Sequence, residues 1–256
     1  MSDPAWPDRA RGVFETLLIL DGAPIELDAH LERLRASVQD LFGTELPAGA
    51  RALAVQAASS LVLGRLRLTV APQGIGSFLV ADAVAAAVER DILFPCWERA
   101  IALRTCVIPG GLGAHKWADR AALGSPQRGG SDHCLPLVLD AGGEVLEASR
   151  ANVFAVEGDM LVTPAADGRI LPGVTRARAI EAACSLDIEL REETLTVERL
   201  IAASEAFLTG SVRGVEPVRW IDDAELAPPG EVTSAIAAKL KQMWLANEAA
   251  HWAAAR

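Results

Sequence analysis

The hydrophobic and polar positions of the first hundred residues alternate between strand and helix periods. An apolar run over 13–20 predicts a strand, Asp21-Gly22 predicts a hairpin turn, and 24–27 predicts the returning strand. Apolar residues then recur at helical spacing, which predicts a helix over 29–42 capped by Asp28. The chain therefore opens with a hairpin followed by an amphipathic helix.

The next segments predict a small antiparallel sheet with helices on one face. They are a helix over 50–63 and strands over 65–70, 77–87 and 100–107. Proline and glycines at 108–113 then indicate a boundary. We expect a small N-terminal domain over 1–108, a linker over 109–113 and a larger C-terminal domain over 114–256.

The second half alternates between short apolar strands and helical segments. The predicted strands cover 135–140, 152–156, 160–163, 206–209 and 215–221, and the predicted helices cover 175–185, 197–203 and 232–252. The pattern as a whole predicts a mixed α/β (α+β) fold of two domains.

Composition indicates a compact protein that binds a small molecule. Hydrophobic residues make up 51% and charged residues 23% of the 256 residues, which is typical of globular proteins. A net charge of −10 disfavours partners such as nucleic acid or anionic membranes. The first residues contain no apolar signal-peptide core, and no run of about 18 apolar residues occurs, so we expect a cytoplasmic enzyme.

The cysteines and histidines form no recognisable ligand pattern. The four cysteines are scattered without a Cys-x-x-Cys pair, so we expect reduced, mostly buried thiols rather than disulfides. The four histidines show no metal-ligand spacing either. We therefore predict no metal site.

Lys116 is one of only three lysines, and the other two lie in the C-terminal helix. An arginine cannot lose its proton in a protein, whereas a lysine amine can, and can then form a Schiff base with an aldehyde. A base-composition bias that favours arginine is the simpler explanation of this single residue. Lys116 therefore becomes a candidate for Schiff-base chemistry only in combination with other residues.

Several other segments suit a phosphate group. The segment 168–176 is a turn that leads into a helix, where backbone N–H groups and Thr175 would bind an anion. Thr209-Gly210-Ser211 is a second cluster of hydroxyls and glycine after an apolar run, and Arg33 would add a charged donor. Each has a simpler interpretation as an ordinary helix start, a turn or an exposed arginine.

Glu147 lies between two predicted strands, five residues before Asn152. A carboxylate there would hold the ring nitrogen of a pyridine cofactor protonated. An exposed loop glutamate and a turn asparagine are the simpler alternatives.

The order of these residues resembles one known family. A lysine, a downstream Glu-x-x-x-x-Asn-x-Phe, Leu-Pro-Gly-Val-Thr-Arg and a late Thr-Gly-Ser before Pro217-Val218 occur together in the class IV, or fold type IV, pyridoxal-phosphate enzymes. Branched-chain aminotransferases, D-amino-acid aminotransferases and 4-amino-4-deoxychorismate lyase belong to it. The resemblance also covers 12–16 and 30–34, and it implies a homodimer of two-domain subunits with the cofactor between the domains.

The resemblance also implies roles for individual residues. Lys116 would form the Schiff base with pyridoxal 5'-phosphate and later move protons, and Glu147 would contact the pyridine nitrogen with support from Asn152. The phosphate ligands would be Arg33, Val174, Thr175 and Ser211. The turn that approaches the substrate would contain Val212 and Arg213, while Arg104 and Arg67 are further candidates for substrate carboxylates.

One departure from the family favours a branch within it. The chain has no tyrosine, and Ala121 occupies the position of the tyrosine that follows the lysine by five residues in the aminotransferases. The segments 116–120, 151–154 and 211–214 look more like the 4-amino-4-deoxychorismate lyases, which release pyruvate and form 4-aminobenzoate for folate synthesis. An aminotransferase and a noncatalytic homologue remain the alternatives, because a fold does not fix a reaction.

Overall fold

The computed structural model describes residues 6–74, 78–123 and 134–254. Their contacts divide them into two compact units. The small unit comprises residues 6–92, His115–Arg120 and the end of the chain from Gln242, and the large unit comprises Leu93–Ala114 and Ala121–Lys241. The predicted strand at 77–87 begins at a residue outside the described ones.

The small unit is a four-stranded antiparallel sheet with two helices. Its elements are β1 (Val13–Leu20), β2 (Ala23–Pro24), α1 (Leu27–Phe42), α2 (Ala50–Ala58), β3 (Leu63–Gln73) and β4 (Phe78–Ala87), and the strand order is β2-β1-β3-β4. Along β3 the leucines at 66 and 68 are fully buried and the arginines at 65 and 67 are exposed. This alternation directs one face of the sheet to the core.

Three boundaries in the small unit differ from the sequence prediction. Helix α1 begins at Leu27 after Glu26, whose backbone is left-handed at φ 56°, so Asp28 lies inside the first turn and is not the cap. This early start leaves only two residues for β2. Helix α2 ends at Ala58, because the chain must turn before Leu63 joins β3.

The large unit contains a curved ten-stranded sheet and helices. The elements are β5 (Ile101–Val107), β6 (Cys134–Leu139), β7 (Glu144–Ala148), β8 (Asn152–Glu157), β9 (Met160–Thr163), α3 (Val174–Ser185), β10 (Leu190–Glu192), β11 (Leu195–Thr196), α4 (Val197–Ala202), β12 (Glu205–Gly210), β13 (Gly214–Ile221), β14 (Ala224–Glu225) and α5 (Glu231–Ala254). The strand order is β10-β9-β8-β12-β13-β5-β6-β7-β11, and β14 pairs with β13.

The prediction that the strand at 100–107 completes the small sheet is wrong. Strand β5 pairs in parallel with both β6 and β13 of the large sheet. Its Ile101 and Leu103 are buried in the same hydrophobic core as Leu137 and Val218, which explains the pairing. The division into domains at 109–113 stays a prediction.

The cysteines are not mostly buried as expected. All four are free, Cys96, Cys134 and Cys184 are exposed, and Cys106 is half-buried. Burial raises the pKa of the Cys106 thiol. Within the described ranges, no group of three or more His, Cys, Asp or Glu residues could hold a metal ion, and no helix is long and apolar enough to cross a membrane.

Candidate active site

The backbone around Lys116 is hydrogen-bonded to β1, the first strand of the small unit. The backbone N–H of Phe14 donates to the carbonyl of Lys116 at 2.9 Å, and the N–H of Ala118 donates to Gly12 at 3.0 Å. Trp117 pairs with Val13 in an isolated antiparallel bridge and is only 2% exposed. The lysine therefore occupies a fixed position beside the N-terminal end of β1.

His115 fastens the same segment to α1. Its Nδ1 lies 3.1 Å from the Ser37 hydroxyl, and its Nε2 lies 2.9 Å from a carboxylate oxygen of Asp40. The imidazole also meets the Trp117 ring edge-on at 5.5 Å. Both neighbours of the lysine are thus held in place.

Two cations lie close to the Phe14 ring. The Lys116 Nζ is 5.2 Å from the ring centroid, and the Arg67 guanidinium is 3.7 Å from it. Burial and the nearby Arg65 both lower the pKa of Arg67. The structure thus places one predicted carboxylate ligand, Arg67, on the same aromatic ring as the predicted catalytic lysine.

Arg33 belongs to a buried cluster with Glu15 and His30. Its Nε and Nη2 donate to the two Glu15 oxygens at 2.9 and 2.6 Å, and His30 Nδ1 lies 2.7 Å from Glu15 Oε2. Burial opposes ionisation of Glu15, but the charges of Arg33 and His30 and their hydrogen bonds outweigh it and lower the pKa of Glu15 to about 2. Burial lowers the pKa of His30 despite the opposing effect of Glu15, so the imidazole is neutral at pH 7.

In the large unit, Glu147 and Asn152 both bind the backbone of Leu171. The Leu171 N–H donates to Glu147 Oε2 at 3.3 Å, and Asn152 Nδ2 donates to the Leu171 carbonyl at 2.9 Å. The prediction that Glu147 lies between two strands is wrong, because it lies in β7, a strand that was not predicted, and it is 8% exposed. The Glu147 carboxylate is therefore largely shielded from water, and a charge-assisted hydrogen bond to it would be strong.

The segment after Leu171 leads into α3. A Cβ on Gly173 would lie 2.0 Å from Asn152 Oδ1, so only glycine fits there. Helix α3 then begins without a side-chain cap, which leaves its first N–H groups for another acceptor. The Thr175 hydroxyl lies 3.3 Å from that of Ser211, and the Thr209 hydroxyl is buried without a partner among the described residues.

Two arginines brace the loop before α3. Arg176 Nη2 donates to the Pro164 carbonyl at 2.8 Å. Arg169 forms ion pairs with the carboxylates of Asp140, Glu144 and Asp167. These contacts hold the loop between Pro164 and α3 in place, and with it the first turn of α3.

The glycine-rich segment before Lys116 is also fixed. Gly110 N–H donates to Asp140 Oδ1 at 2.8 Å, and Ile108 N–H donates to Leu139 at 2.9 Å. Gly111 has φ +71°, and a Cβ there would lie 2.2 Å from the Arg169 carbonyl oxygen. Glycine is required here for close packing as well as for its backbone conformation.

The structure separates the candidates for substrate binding. Val212 and Arg213 lie with Ser211 in the turn between β12 and β13, at the N-terminal end of β13. Arg104 follows Leu103, which pairs with Ile221 at the other end of β13, roughly 20 Å away along the strand. Arg104 is exposed beside Asp222 and Asp223, so the structure does not bring it to the other candidates.

The predicted residues therefore form two groups. Lys116 and Arg33 lie in the small unit, and the remaining cofactor candidates lie together at one edge of the large sheet: Glu147, Asn152, Val174, Thr175 and Ser211. Glu15 was missed as a site residue, although its position was informative. It occupies an inward position of β1 between Val13 and Leu17, and a buried glutamate needs a cationic partner.

Comparison with known proteins identifies the family. The amino-transferase class IV model matches residues 12–90 and 121–221, well over half of the chain. Lys116 lies in the gap between the two matched stretches. Branched-chain-amino-acid aminotransferase of Escherichia coli K12 is 31% identical over 153 residues, which cover 59% of this chain and 47% of that protein.

Two solved structures share the fold over nearly the whole chain. A hypothetical aminotransferase from Mycobacterium tuberculosis in a PLP-bound form has a TM-score of 0.80 at 22% identity, covering 93% of this chain and 90% of that one. A 4-amino-4-deoxychorismate lyase from Pseudomonas aeruginosa has a TM-score of 0.75 at 26% identity, covering 94% and 96%. The predicted fold type is confirmed.

The curated relatives are matched only in part. The aligned regions span less than half the length of the branched-chain aminotransferases from Arabidopsis thaliana, Thermotoga maritima and E. coli. Family and fold follow from these comparisons together with the geometry above. The chain belongs to the class IV aminotransferase family.

Proposed function

We propose that the protein is a pyridoxal-phosphate-dependent enzyme that cleaves 4-amino-4-deoxychorismate to 4-aminobenzoate and pyruvate. The observation that carries the cofactor assignment is the edge of the large sheet where Glu147, Asn152, Thr175 and Ser211 meet around Leu171 and the start of α3. Family membership supports the same cofactor.

The residues at the start of α3 fit a phosphate group. Uncapped N–H groups of a twelve-residue helix attract an anion, and two hydroxyls 3.3 Å apart can both donate to one. The buried Thr209 hydroxyl lacks a partner within the described part of the chain, and its strand leads directly to Ser211. Val174, Thr175 and Ser211 would hold the phosphate here, and Arg33 would be a further phosphate ligand.

Glu147 fits the ring nitrogen of a pyridine. Its buried carboxylate accepts a long backbone hydrogen bond of 3.3 Å from Leu171. A protonated ring nitrogen would form a stronger, charge-assisted bond with it. Asn152 would hold the loop against which this carboxylate rests.

The cofactor, when bound, supplies an aldehyde and a ring that accepts electrons. Lys116 Nζ accepts the proton from the substrate carbon that carries the amine. The C–O bond on the neighbouring ring carbon then breaks and the ring becomes aromatic, while the enolpyruvyl group leaves as the enolate of pyruvate and takes up a proton on its methylene carbon to give pyruvate. The fixed backbone of Lys116, bound to β1 and flanked by His115, supports this role because a proton acceptor must be placed accurately.

The absence of tyrosine favours the lyase. The aminotransferases of this family place a tyrosine five residues after the lysine, and this chain has Ala121 there. The similarity to the P. aeruginosa lyase also extends over 94% of the chain. The M. tuberculosis aminotransferase covers 93% of the chain, so coverage does not separate the two reactions, and the missing tyrosine is the observation that favours a lyase of a small carboxylated amine, in a homodimer as is usual in the family.

An aminotransferase is the second candidate. The curated relatives are branched-chain aminotransferases by name. The two reactions share the proton transfer to Lys116 and differ in the step after that transfer. A noncatalytic homologue is the third possibility, although the chain keeps both the lysine and the phosphate residues.

The test begins with the visible spectrum of the purified protein after addition of pyridoxal phosphate. 4-Amino-4-deoxychorismate and a panel of amino acids are then added separately, and pyruvate and 4-aminobenzoate are assayed. A yellow species that persists with amino acids, together with both products, supports the lyase. Bleaching by an amino acid favours the aminotransferase, and a colourless protein rejects the cofactor assignment.

A further inference from the structure

Arg169 bridges three carboxylates of the large unit. Its Nη1 contacts Glu144 and lies 3.2 Å from Asp140 Oδ2, and its Nε and Nη2 each lie 2.8 Å from Asp167 Oδ2. Asp140 and Glu144 flank the turn between β6 and β7, whereas Asp167 lies in the loop 164–173 that leads to α3, the Leu171 loop. The guanidinium therefore joins the Leu171 loop to the start of β7.

The Leu171 loop meets the proposed cofactor carboxylate two residues after Arg169. The N–H of Leu171 donates to Glu147 Oε2 at 3.3 Å, and Glu147 lies in β7, the strand that Glu144 begins. Arg169 thus joins the loop to β7 close to the point where the loop contacts Glu147. A shift of the loop would move an N–H donor of this carboxylate.

The carbonyl of Arg169 contacts the glycine segment, 108–113. It accepts the N–H of Gly113 at 3.3 Å, and a Cβ on Gly111 would lie 2.2 Å from the same oxygen. Asp140, a partner of the Arg169 side chain, accepts the N–H of Gly110 at 2.8 Å. The glycine segment is therefore held by Arg169 and by one of its carboxylate partners, and the chain reaches the predicted catalytic lysine three residues after Gly113.

The charges in this group make its contacts stronger than single surface ion pairs. Hydrogen bonds from the N–H groups of Gly110 and Ala141 lower the pKa of Asp140, and the hydrogen bond from Arg169 lowers that of Asp167. One exposed ion pair contributes little, but a planar guanidinium that binds several carboxylates forms a network with a fixed geometry. Within the described ranges these three acids pair with no other cation, so loss of Arg169 would leave them to repel one another.

We propose that Arg169 is a positioning residue of the active site, which holds the Leu171 loop and the glycine segment in one fixed arrangement. Its side chain sets the loop that contacts Glu147, and its carbonyl sets the segment that precedes Lys116. This inference rests on the proposed function, because Glu147 and Lys116 are the residues assigned to the cofactor ring and its aldehyde. A role limited to the stability of the large unit predicts no specific effect on these two segments.

The first experiment measures hydrogen exchange in the protein without added cofactor. It compares the wild type with Arg169→Gln, which removes the charge and keeps a polar side chain. We expect exchange to become at least about tenfold faster in peptides from the glycine segment and the Leu171 loop, because the acceptors of Gly110, Gly113 and Leu171 are no longer fixed. Peptides from β12 and β13 should exchange as in the wild type.

Cofactor affinity supplies the second readout. Equilibrium dialysis measures the binding of pyridoxamine phosphate, which has no aldehyde, and of pyridoxal phosphate, which also bonds to Lys116. Arg169→Gln should weaken the binding of pyridoxamine phosphate about tenfold, the equivalent of one charge-assisted hydrogen bond. The affinity for pyridoxal phosphate should fall further, because the segment before Lys116 is displaced as well.

Arg199→Gln is the matched control. The Arg199 side chain is 35% exposed, against 36% for Arg169, and it likewise binds carboxylates, those of Glu157 and Glu193, and the carbonyl of Thr194. None of these contacts involves the glycine segment or the Leu171 loop. Exchange of the two segments and both affinities should therefore stay at wild-type values. Arg169→Lys keeps the charge but not the planar geometry, so it should recover part of what Arg169→Gln loses.

The outcomes separate this inference from the proposed function. Wild-type exchange of both segments in a folded Arg169→Gln variant overturns the inference, and so does faster exchange with unchanged affinity for both cofactor forms. An equal change in Arg199→Gln also overturns it, because loss of any arginine network in the large unit then explains the result. A wild-type protein that binds neither cofactor form rejects the proposed function, and the exchange comparison with Arg199→Gln then decides alone whether Arg169 joins the two segments. If Arg169→Gln does not fold, Arg169→Lys serves for the same comparisons with smaller expected changes.

Discussion

Replacement of Glu15 by glutamine tests whether a buried carboxylate organises the small unit. Glutamine keeps the shape of the side chain but presents an amide in place of a charge to Arg33 and His30, which lie 2.6 and 2.7 Å from Oε2. The pKa of Glu15 is lowered from 4.5 to about 2, and this difference corresponds to about 3 kcal/mol of stability when Arg33 and His30 are both charged; at pH 7 His30 is neutral and Arg33 is the charged partner. Removal of one partner of a buried ion pair costs a similar amount.

The assay is denaturant unfolding at pH 7, followed by circular dichroism and by the fluorescence of tryptophan, including buried Trp117. We expect Glu15→Gln to lower the free energy of unfolding by about 3 kcal/mol. Hydrogen exchange of β1 and α1 should increase in the same variant, because these elements carry Glu15, His30 and Arg33. A loss below about 1 kcal/mol would refute the reasoning.

The dependence on pH supplies a second test of the same cluster. A carboxylate with a lowered pKa stabilises the fold fully above about 4.5, and this contribution is lost as the pH falls towards 2. Because His30 also has a lowered pKa and loses its contribution below 6.5, the comparison uses His30→Asn with and without Glu15→Gln. Arg33 is the group that lowers the pKa of Glu15 in this background, so the stability difference between these two proteins should shrink as the pH falls below 4.5, and a constant difference would contradict the assignment.

Three further predictions concern single side chains. Lys116→Ala should lower turnover by roughly a thousandfold or more while the unfolding midpoint stays near that of the wild type, and turnover close to wild type would remove the lysine from the mechanism. His115→Ala should lower kcat more than it raises KM, because the imidazole holds the segment around Lys116 through its contacts with Ser37 and Asp40. His115→Gln retains a donor towards Asp40 and should restore part of the lost kcat. Equal kinetics in the wild type and both variants would contradict this role. Glu205→Ala should destabilise the protein by about 1–2 kcal/mol in a denaturation series, because both Glu205 oxygens accept N–H groups at the start of α5. Glu205→Gln should cost less because it keeps one acceptor oxygen, and an alanine variant as stable as the wild type would contradict the capping role.

Periodicity located most of the elements but not their partners in the sheets. The strand predicted over 13–20 is confirmed residue for residue as β1, and the predicted helix over 175–185 differs from α3 by one residue. Strand β5 was found at nearly the right residues and assigned to the wrong sheet. Its apolar run suits either neighbour, because pairing depends on long-range packing that local periodicity does not contain.

For the candidate site, too, the sequence indicated the types of residue but not the contacts that they make. Chemistry and order along the chain indicated Glu147, Asn152 and Thr175, but their common attachment to the Leu171 segment and α3 came only from the fold. Three short strands of the large unit, β10, β11 and β14, had no sequence signal because two or three residues are too few to show alternation. Arg104 carried the right charge for a carboxylate ligand, yet its strand places it at the far end of β13.

Each unit contains a cluster in which a buried glutamate holds arginine side chains in place. Glu15 balances Arg33 while His30 is neutral at pH 7, so these three side chains carry no net charge, and their contribution is to fix Arg33 in one orientation. Glu216 likewise contacts Arg150 and Arg213 from two turns of the large unit, although both arginines remain partly exposed. Because loss of a buried carboxylate leaves its cationic partners without their counter-charge, each glutamate organises the side chains of its own unit.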